Sequence, residues 1–215
     1  MDYRSLENTQ QPIMTQINIF TDGSKTDAHC GAGYVIYDKN ETLVEASIKL
    51  SYNATVFQAE IMAIREAAKA FISVRTETQL YIKILTDSQA AFQALAARTY
   101  TSKLVKETME ELNKLGKIVN RLEISWIKAH VGYKGNERAD TLARSAEEKA
   151  KIDLHISDSW TSFKTLVWDA VFKEWTIRWS EDPTCRLTKI FYPIPNPTMQ
   201  TKIFKLSRSA MTNWV

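Results

Sequence analysis

The chain has 215 residues, 44% of them hydrophobic and 25% charged, with a net charge of +3, which is ordinary for a soluble globular protein able to build its own core. Residues 17–150 carry 18 Lys/Arg against 17 Asp/Glu, and residues 151–215 carry 9 against 6, so charge alone marks neither stretch as a polyanion binder. No apolar run approaches the ~20 residues of a membrane span, the polar start lacks the apolar core of a secretion signal, and Cys30 and Cys185 read as free thiols in an intracellular, non-secreted chain.

Residues 1–16 show no periodicity and are expected to form a flexible lead-in. Ile17–Asp22 alternates as a strand does. Gly31-Ala32-Gly33 opens a second strand over Tyr34–Tyr37, and a turn at Asp38-Lys39-Asn40 leads into a third over Leu43–Leu50. Connections this short imply an antiparallel meander. Phe57, Ile61, Ile64, Ala68 and Phe71 make one stripe of a helix over Phe57–Ile72. A fourth strand, Leu80–Leu85, precedes helices over 88–97 and 102–115, with Gly116 as the stop. Arg121–Lys128 reads as a fifth strand and Asn136–Lys149 as a last helix with Asn136 near its cap. The order βββαβααβα predicts an α/β fold: a mixed five-stranded sheet, three strands antiparallel and two parallel, with helices on both faces. That places one domain over residues 17–150.

Residues 151–215 have a different texture. "TSFKTLVWDAVFKEWTIRW" repeats apolar residues at three and four, predicting an amphipathic helix, and "YPIPNP" after it is rigid and extended. A Trp-rich appendage is expected here, and the final apolar pair suggests a segment cut from something longer.

Two stretches sixty residues apart read almost alike: "IFTDGSK" and "ILTDSQA". If their strands are parallel neighbours, Asp22 and Asp87 emerge side by side at the edge where open α/β sheets place their sites. Two such charges about 4 Å apart repel by roughly 4 kcal/mol at an effective dielectric of 20, and a divalent cation between them reverses the sign. Glu60 adds a third acid on the buried stripe of its helix, with Arg65 as its nearest basic neighbour on a different face. Asp140 is a fourth, within about the first turn of the last helix. Oxygen ligands without multiple His or Cys select Mg2+ or Mn2+ over zinc, and four carboxylates can support two ions in a phosphodiester displacement. His130, in the Gly-containing loop "AHVGYKG", could then shuttle a proton.

"FTDGSK", "FQAEIMAI", "LTDSQAA" and "WIKAHVGYKGNERADTLA" resemble the four motif blocks of type 1 ribonuclease H. The resemblance covers about residues 17–150. It implies a ribonuclease H-like fold and an enzyme that cuts the RNA strand of RNA–DNA hybrids with two Mg2+ ions. It further implies Asp22, Glu60, Asp87 and Asp140 as metal ligands and His130 as the loop histidine. Gly23, Ser24, Lys25, Ser88 and Gln89 flank the metals in that arrangement, where small residues let backbone amides approach the RNA minor groove. The spelling of "FQAEIMAI", "DSQAA" and "HVGYKGNERAD", with the Trp-rich tail, is similar to the ribonuclease H domains of non-LTR retrotransposon polyproteins. That kinship implies a reverse transcriptase module upstream and a nuclease unit acting as a monomer. Departures are also visible. "AARTYTSKLVKETMEEL" is nearly neutral where many cellular members carry a basic handle, and Val56, Phe57 and Gln58 stand where they often carry Asn.

Three of the four acids have an ordinary reading when taken singly, whereas a buried Glu60 calls for an Arg or Lys partner. Asp22 suits a turn, Asp87 a helix N-cap, and Asp140 a dipole-favoured surface position. Lys128, Lys134, Arg138 and Arg144 suit phosphate contacts or plain solvation. Two rivals remain at this point: a non-catalytic hybrid-binding module of a decayed element, and a different nuclease on the same fold.

Overall fold

A computed structural model describes residues 15–74, 80–100, 102–129, 131–157, 159–184 and 186–195. The chain divides into two compact units after Ser159. The first holds β1 (Thr15–Lys25), β2 (Cys30–Asp38), β3 (Glu41–Leu50), α1 (Val56–Val74), β4 (Leu80–Thr86), α2 (Gln89–Ala96), α3 (Lys103–Gly116), β5 (Arg121–Trp126) and α4 (Lys134–Ser145), which ends in a short 3-10 turn over Ala146–Glu148. The second holds α5 (Trp160–Glu181) and α6 (Arg186–Phe191). No described helix is long and apolar enough to cross a membrane.

The sheet order is β3-β2-β1-β4-β5. β1 runs antiparallel to β2 and parallel to β4, and β5 runs parallel to β4. This is the mixed five-stranded sheet that the element order predicts. Ile17, Ile19 and Thr21 are buried on one side of β1, where Ile61, Ile64 and Phe71 of α1 belong to the same core. Phe71 is among the largest fully buried side chains; cutting it to Ala costs about 3–5 kcal/mol in a core of this kind.

Small residues let the helices approach. A methyl on Gly31 would come within 2.2 Å of the Ala143 carbonyl oxygen, and one on Gly33 within 2.3 Å of that of Ala139, both in α4. On Gly23, whose register partner is Ala32, it would meet the Glu60 amide nitrogen of α1 at 2.6 Å. Gly31, Ala32 and Gly33 alternate across the sheet, so α4 and α1 cover opposite faces at the end of β1.

Several boundaries differ from the sequence expectation. β1 begins at Thr15, which pairs with Leu80, so Thr15 and Gln16 belong to the sheet and not to the lead-in; residues 1–14 lie outside the described residues. β5 ends at Trp126 because its partner Thr86 is the last residue of β4, leaving Lys128 beyond the ladder. α4 starts at Lys134, with Tyr133 at the N-cap making no side-chain cap bond. Asn136 is therefore inside the first turn and not a cap.

The second unit corrects another expectation. Trp160, Phe163, Leu166, Trp168, Val171 and Ile177 of α5 are all exposed, so no single apolar stripe is buried. At 3.6 residues per turn, the apolar positions from Leu166 round to Phe172 wrap roughly two-thirds of the helix. Recurrence at three and four, begun from several starting points, covers a helix instead of striping it. Within this unit the Trp179 indole donates to the Tyr192 carbonyl at 3.1 Å.

Candidate active site

The parallel register of β1 and β4 pairs Thr21 with Thr86, so Asp22 and Asp87 come side by side. Asp87 follows the end of β4, whereas Asp22 lies inside β1, which pairs on with β2 as far as Lys25 and does not end at Asp22 as expected. Both threonines are fully buried, and the Thr21 hydroxyl reaches the Leu85 carbonyl at 3.4 Å. The two buried threonines act differently: the Thr21 hydroxyl ties β1 to β4, whereas the Thr86 hydroxyl accepts from the Ser88 amide at 3.2 Å and shapes the turn that carries Asp87.

Glu60 reaches the same place from the first turns of α1. Carboxylate oxygens of Asp22, Glu60 and Asp87 all lie within 4.8 Å of one another. Asp22 and Glu60 are buried, at 7% and 6% exposure. Glu60 Oε2 is buried and makes no hydrogen bond. Arg65 does not serve it, being bound to Glu66 at 3.0 Å and Glu107 at 2.9 Å.

Burial pushes the Asp22 carboxyl up to about 7, helped by the charges of Asp87 and Asp140. Burial likewise lifts Glu60 to about 9, with Asp22 and Asp87 adding to it. The Gly23 amide donates to both groups and pulls the other way, but it does not prevail. One backbone donor cannot compensate a pair of buried, mutually repelling carboxylates.

The side chain of Asp87 is free for this cluster because Ser88 caps α2, its hydroxyl accepting from the Ala91 amide at 3.2 Å. Two other elements hold Asp87. Asn136 of α4 donates Nδ2 to Asp87 Oδ2 at 2.9 Å, and the Trp126 indole donates to the Asp87 carbonyl at 2.9 Å. Asn136 is 4% exposed, and its Oδ1 has no partner. It is the site residue that reading for caps misses. The available signal is its spacing: Asn136, Ala139 and Ala143 form one buried stripe, and a buried Asn needs polar partners.

Asp140 comes within hydrogen-bonding reach of Asp22 and is paired with Arg144 at 2.8 Å. It stands outside the group of three close acids. His130 lies outside the described residues. Of the flanking positions, Gly23, Ser24 and Ser88 are half-buried and Gln89 is exposed. Lys25 directs its ammonium to the carbonyls of Ala54, at 2.5 Å, and Tyr52, at 3.2 Å. Ser24 also lines an open cleft with Thr26, His29, Gly31, Ala143, Arg144 and Glu147. Arg138 is engaged by Glu45 through two hydrogen bonds. Gln58 is buried, and its amide is consumed by Thr55 and the Ser157 carbonyl.

The donor set suits a hard divalent cation. All the ligating atoms are carboxylate oxygens, one buried oxygen lacks any partner, and no Lys or Arg is ion-paired to Asp22, Glu60 or Asp87 among the described residues. A cation there satisfies the orphan and removes the repulsion.

The sequence pattern of the RNase H family matches residues 14–148. The chain belongs to the RNase H family. Ribonuclease H of Campylobacter jejuni is 28% identical over 141 residues, covering 63% of this chain and 94% of that protein. Ribonuclease H of Erwinia tasmaniensis is 28% identical over 156 residues, covering 66% and 95%. Among solved structures, RNase H1 of Halobacterium salinarum superimposes with a TM-score of 0.52 at 22% identity, covering 63% of this chain and 99% of that one. The LC11-RNase H1 isolated from compost gives 0.52 at 25% identity, covering 64% and 99%. The RNase H match takes in the whole acid cluster and Asn136, and it stops nine residues before Ser157.

Proposed function

We propose that this RNase H chain hydrolyses the RNA strand of RNA–DNA hybrids, using divalent ions, Mg2+ or Mn2+, held by Asp22, Glu60, Asp87 and Asp140. The observation that carries the reading is the group of three carboxylates within 4.8 Å of one another with a buried Glu60 oxygen left unpartnered. When bound, two such ions supply Lewis-acid polarisation and charge neutralisation at the scissile phosphate.

The chain's own groups do the rest. Asp22 and Asp87 are presented by adjacent parallel strands, so their separation is set by the sheet and not by flexible loops. Glu60 is carried on a helix pressed against Gly23. Asn136 fixes the carboxylate of Asp87 and Trp126 fixes its backbone. Water attacks phosphorus as the P–O3′ bond breaks, and the departing 3′ oxygen takes up a proton. His130, at the loop position of the motif, is the residue we assign to that proton and to product release. Products then end in 5′-phosphate and 3′-hydroxyl. Gly23, Ser24, Lys25, Ser88 and Gln89 border the cluster, and backbone amides there would read the 2′-hydroxyls that distinguish RNA from DNA.

We further assign the chain to the retroelement branch of the family, acting as a monomeric unit in replication beside a reverse transcriptase module. The support is the spelling of "FQAEIMAI" and "HVGYKGNERAD" and the Trp-rich stretch that follows.

A labelled hybrid incubated with the protein and Mg2+ should lose its RNA strand. EDTA should abolish the cut, Asp22→Asn should reduce it by about a thousandfold, and an all-DNA duplex should remain whole. Binding of the hybrid without turnover in either Mg2+ or Mn2+ would indicate a non-catalytic module, and cutting of the all-DNA duplex a different nuclease.

A further inference from the structure

Directly after the RNase H match, at residue 148, the chain does not leave the nuclease unit. It folds back along the outer strand β3. Lys149 donates to the Ser47 carbonyl and to Asp153 Oδ2, the latter at 2.6 Å. The Asp153 carboxylate accepts from the Lys49 amide at 2.7 Å, and the Asp153 amide returns a bond to the Lys49 carbonyl at 2.8 Å. Leu154 forms a parallel bridge with Leu50, and the Ser51 amide donates to its carbonyl at 3.2 Å. The Ser51 hydroxyl donates to the Ile156 carbonyl and accepts from the Ile156 amide. Leu154 and Ile156 pack against the core. Last, the Gln58 side chain donates to the Ser157 carbonyl at 2.9 Å.

That last bond reaches the start of α1. Gln58 and Thr55 form a reciprocal capping box: Gln58 Oε1 accepts from the Thr55 amide at 2.9 Å, and the Thr55 hydroxyl accepts from the Gln58 amide at 3.1 Å. Such a box organises the first turn of a helix, and Glu60 sits two residues on. A buried amide with a donor to spare must find an acceptor, and Gln58 Nε2 finds one in the returning segment, at the Ser157 carbonyl. Edge strand, returning segment and cap are therefore joined by hydrogen bonds, and Glu60 stands two residues beyond the cap on the same helix.

We propose that residues 149–157 form a positioning strap that belongs to the nuclease unit, holding the α1 cap through Gln58 and thereby setting Glu60 against Asp22 and Asp87. The strap also covers the Lys49–Leu50 end of the edge strand, where open backbone groups would otherwise invite strand addition. Its effect on cation binding rests on the metal reading of Glu60; its effect on the cap does not.

The test uses the full chain with Ser51→Ala and Asp153→Ala together, neither residue being part of the acid cluster. Hydrogen exchange without metal or substrate is read at the α1 amides of Ala59–Met62. These should exchange about tenfold faster, with the amides of Ile82 and Ile84 in β4 unchanged. Mn2+ should bind about tenfold more weakly, while Ser51→Thr with Asp153→Asn, which keeps an acceptor at both places, should restore both values. Ser51→Ala alone gives the same readings in smaller measure if the double variant does not fold. Unchanged exchange at residues 59–62, or faster exchange throughout with β4 included, overturns the strap. Normal cap exchange with no Mn2+ binding by the parent chain would instead overturn the metal reading, and would take the strap's claim on Glu60 with it.

Discussion

Glu60 and Glu123 are the same residue type in one unit, and their surroundings have opposite effects. Glu123, on β5, accepts from the Tyr81 hydroxyl at 2.7 Å and the Ser125 hydroxyl at 2.8 Å, with Arg121 at 3.1 Å and Lys83 at 3.5 Å. Tyr81 foremost, then Ser125 and Lys83, hold its carboxyl down at about 2. Among the described residues Glu60 has one backbone donor, no ion-paired Lys or Arg, and two neighbouring aspartates, and burial drives it to about 9. A carboxylate supplied with donors is finished as it stands. One that is buried, crowded and short of donors lacks a partner, and the oxygen-only donor set of Asp22, Glu60 and Asp87 suits a divalent cation in that role.

The largest way to break the contrast is Asp22→Asn. Cleavage should fall by about a thousandfold, in line with the several kcal/mol that metal assistance contributes. The metal-free protein should become more stable, because a buried repulsion is gone. Thermal melting in EDTA and single-turnover cleavage check the two halves separately.

Next comes pH. In the folded metal-free protein Asp22 titrates near 7 and Glu60 near 9, against 3.8 and 4.5 for the free groups. The folded state therefore retains protons that the unfolded chain has already released. Stability is least burdened below about pH 4 and is lost as pH rises through 7 and 9. Compared with Glu60→Gln, the parent in EDTA should melt at progressively lower temperature from about pH 5 to pH 9, and saturating Mg2+ should flatten the difference. Glu123 sharpens this by its opposite sign: its contribution is present above the free value and fades as pH falls towards 2.

A smaller effect is expected at Asn136. Asn136→Ala should weaken Mn2+ binding about tenfold, as losing a group that orients a ligand commonly does, with hybrid binding in EDTA unchanged. Titration calorimetry reads the first and fluorescence anisotropy the second. Smallest of all, Glu123→Gln should leave cleavage intact and shift the melting temperature little, since exposed ion pairs contribute little.

Much of this was readable in advance, for definable reasons. Strand alternation and the three-and-four spacing of α1 exposed the sheet and its order. Asp22 and Asp87 declared themselves through the repeated Thr-Asp, and Glu60 through its place on a buried stripe with Arg65 turned away. Other features carry no local period. The bond from Asn136 to Asp87 spans 49 residues and that from Gln58 to Ser157 spans 99; a side chain's distant partner leaves no trace in its own neighbourhood. Asn136 therefore read as a cap, and the strap over 149–157 read as the start of an appendage. The α5 stripe failed for a different reason, since spacing alone does not say whether apolar residues gather or encircle.

The most direct measurement is the melting temperature of the intact protein at about pH 8, where both raised carboxyls matter, in EDTA and then in excess Mg2+. Ions binding only the folded cluster should raise it by several degrees, and the same addition should do nothing for Asp22→Asn. Equal melting of the parent chain with and without Mg2+ would contradict the claim that these buried acids are assembled to hold cations.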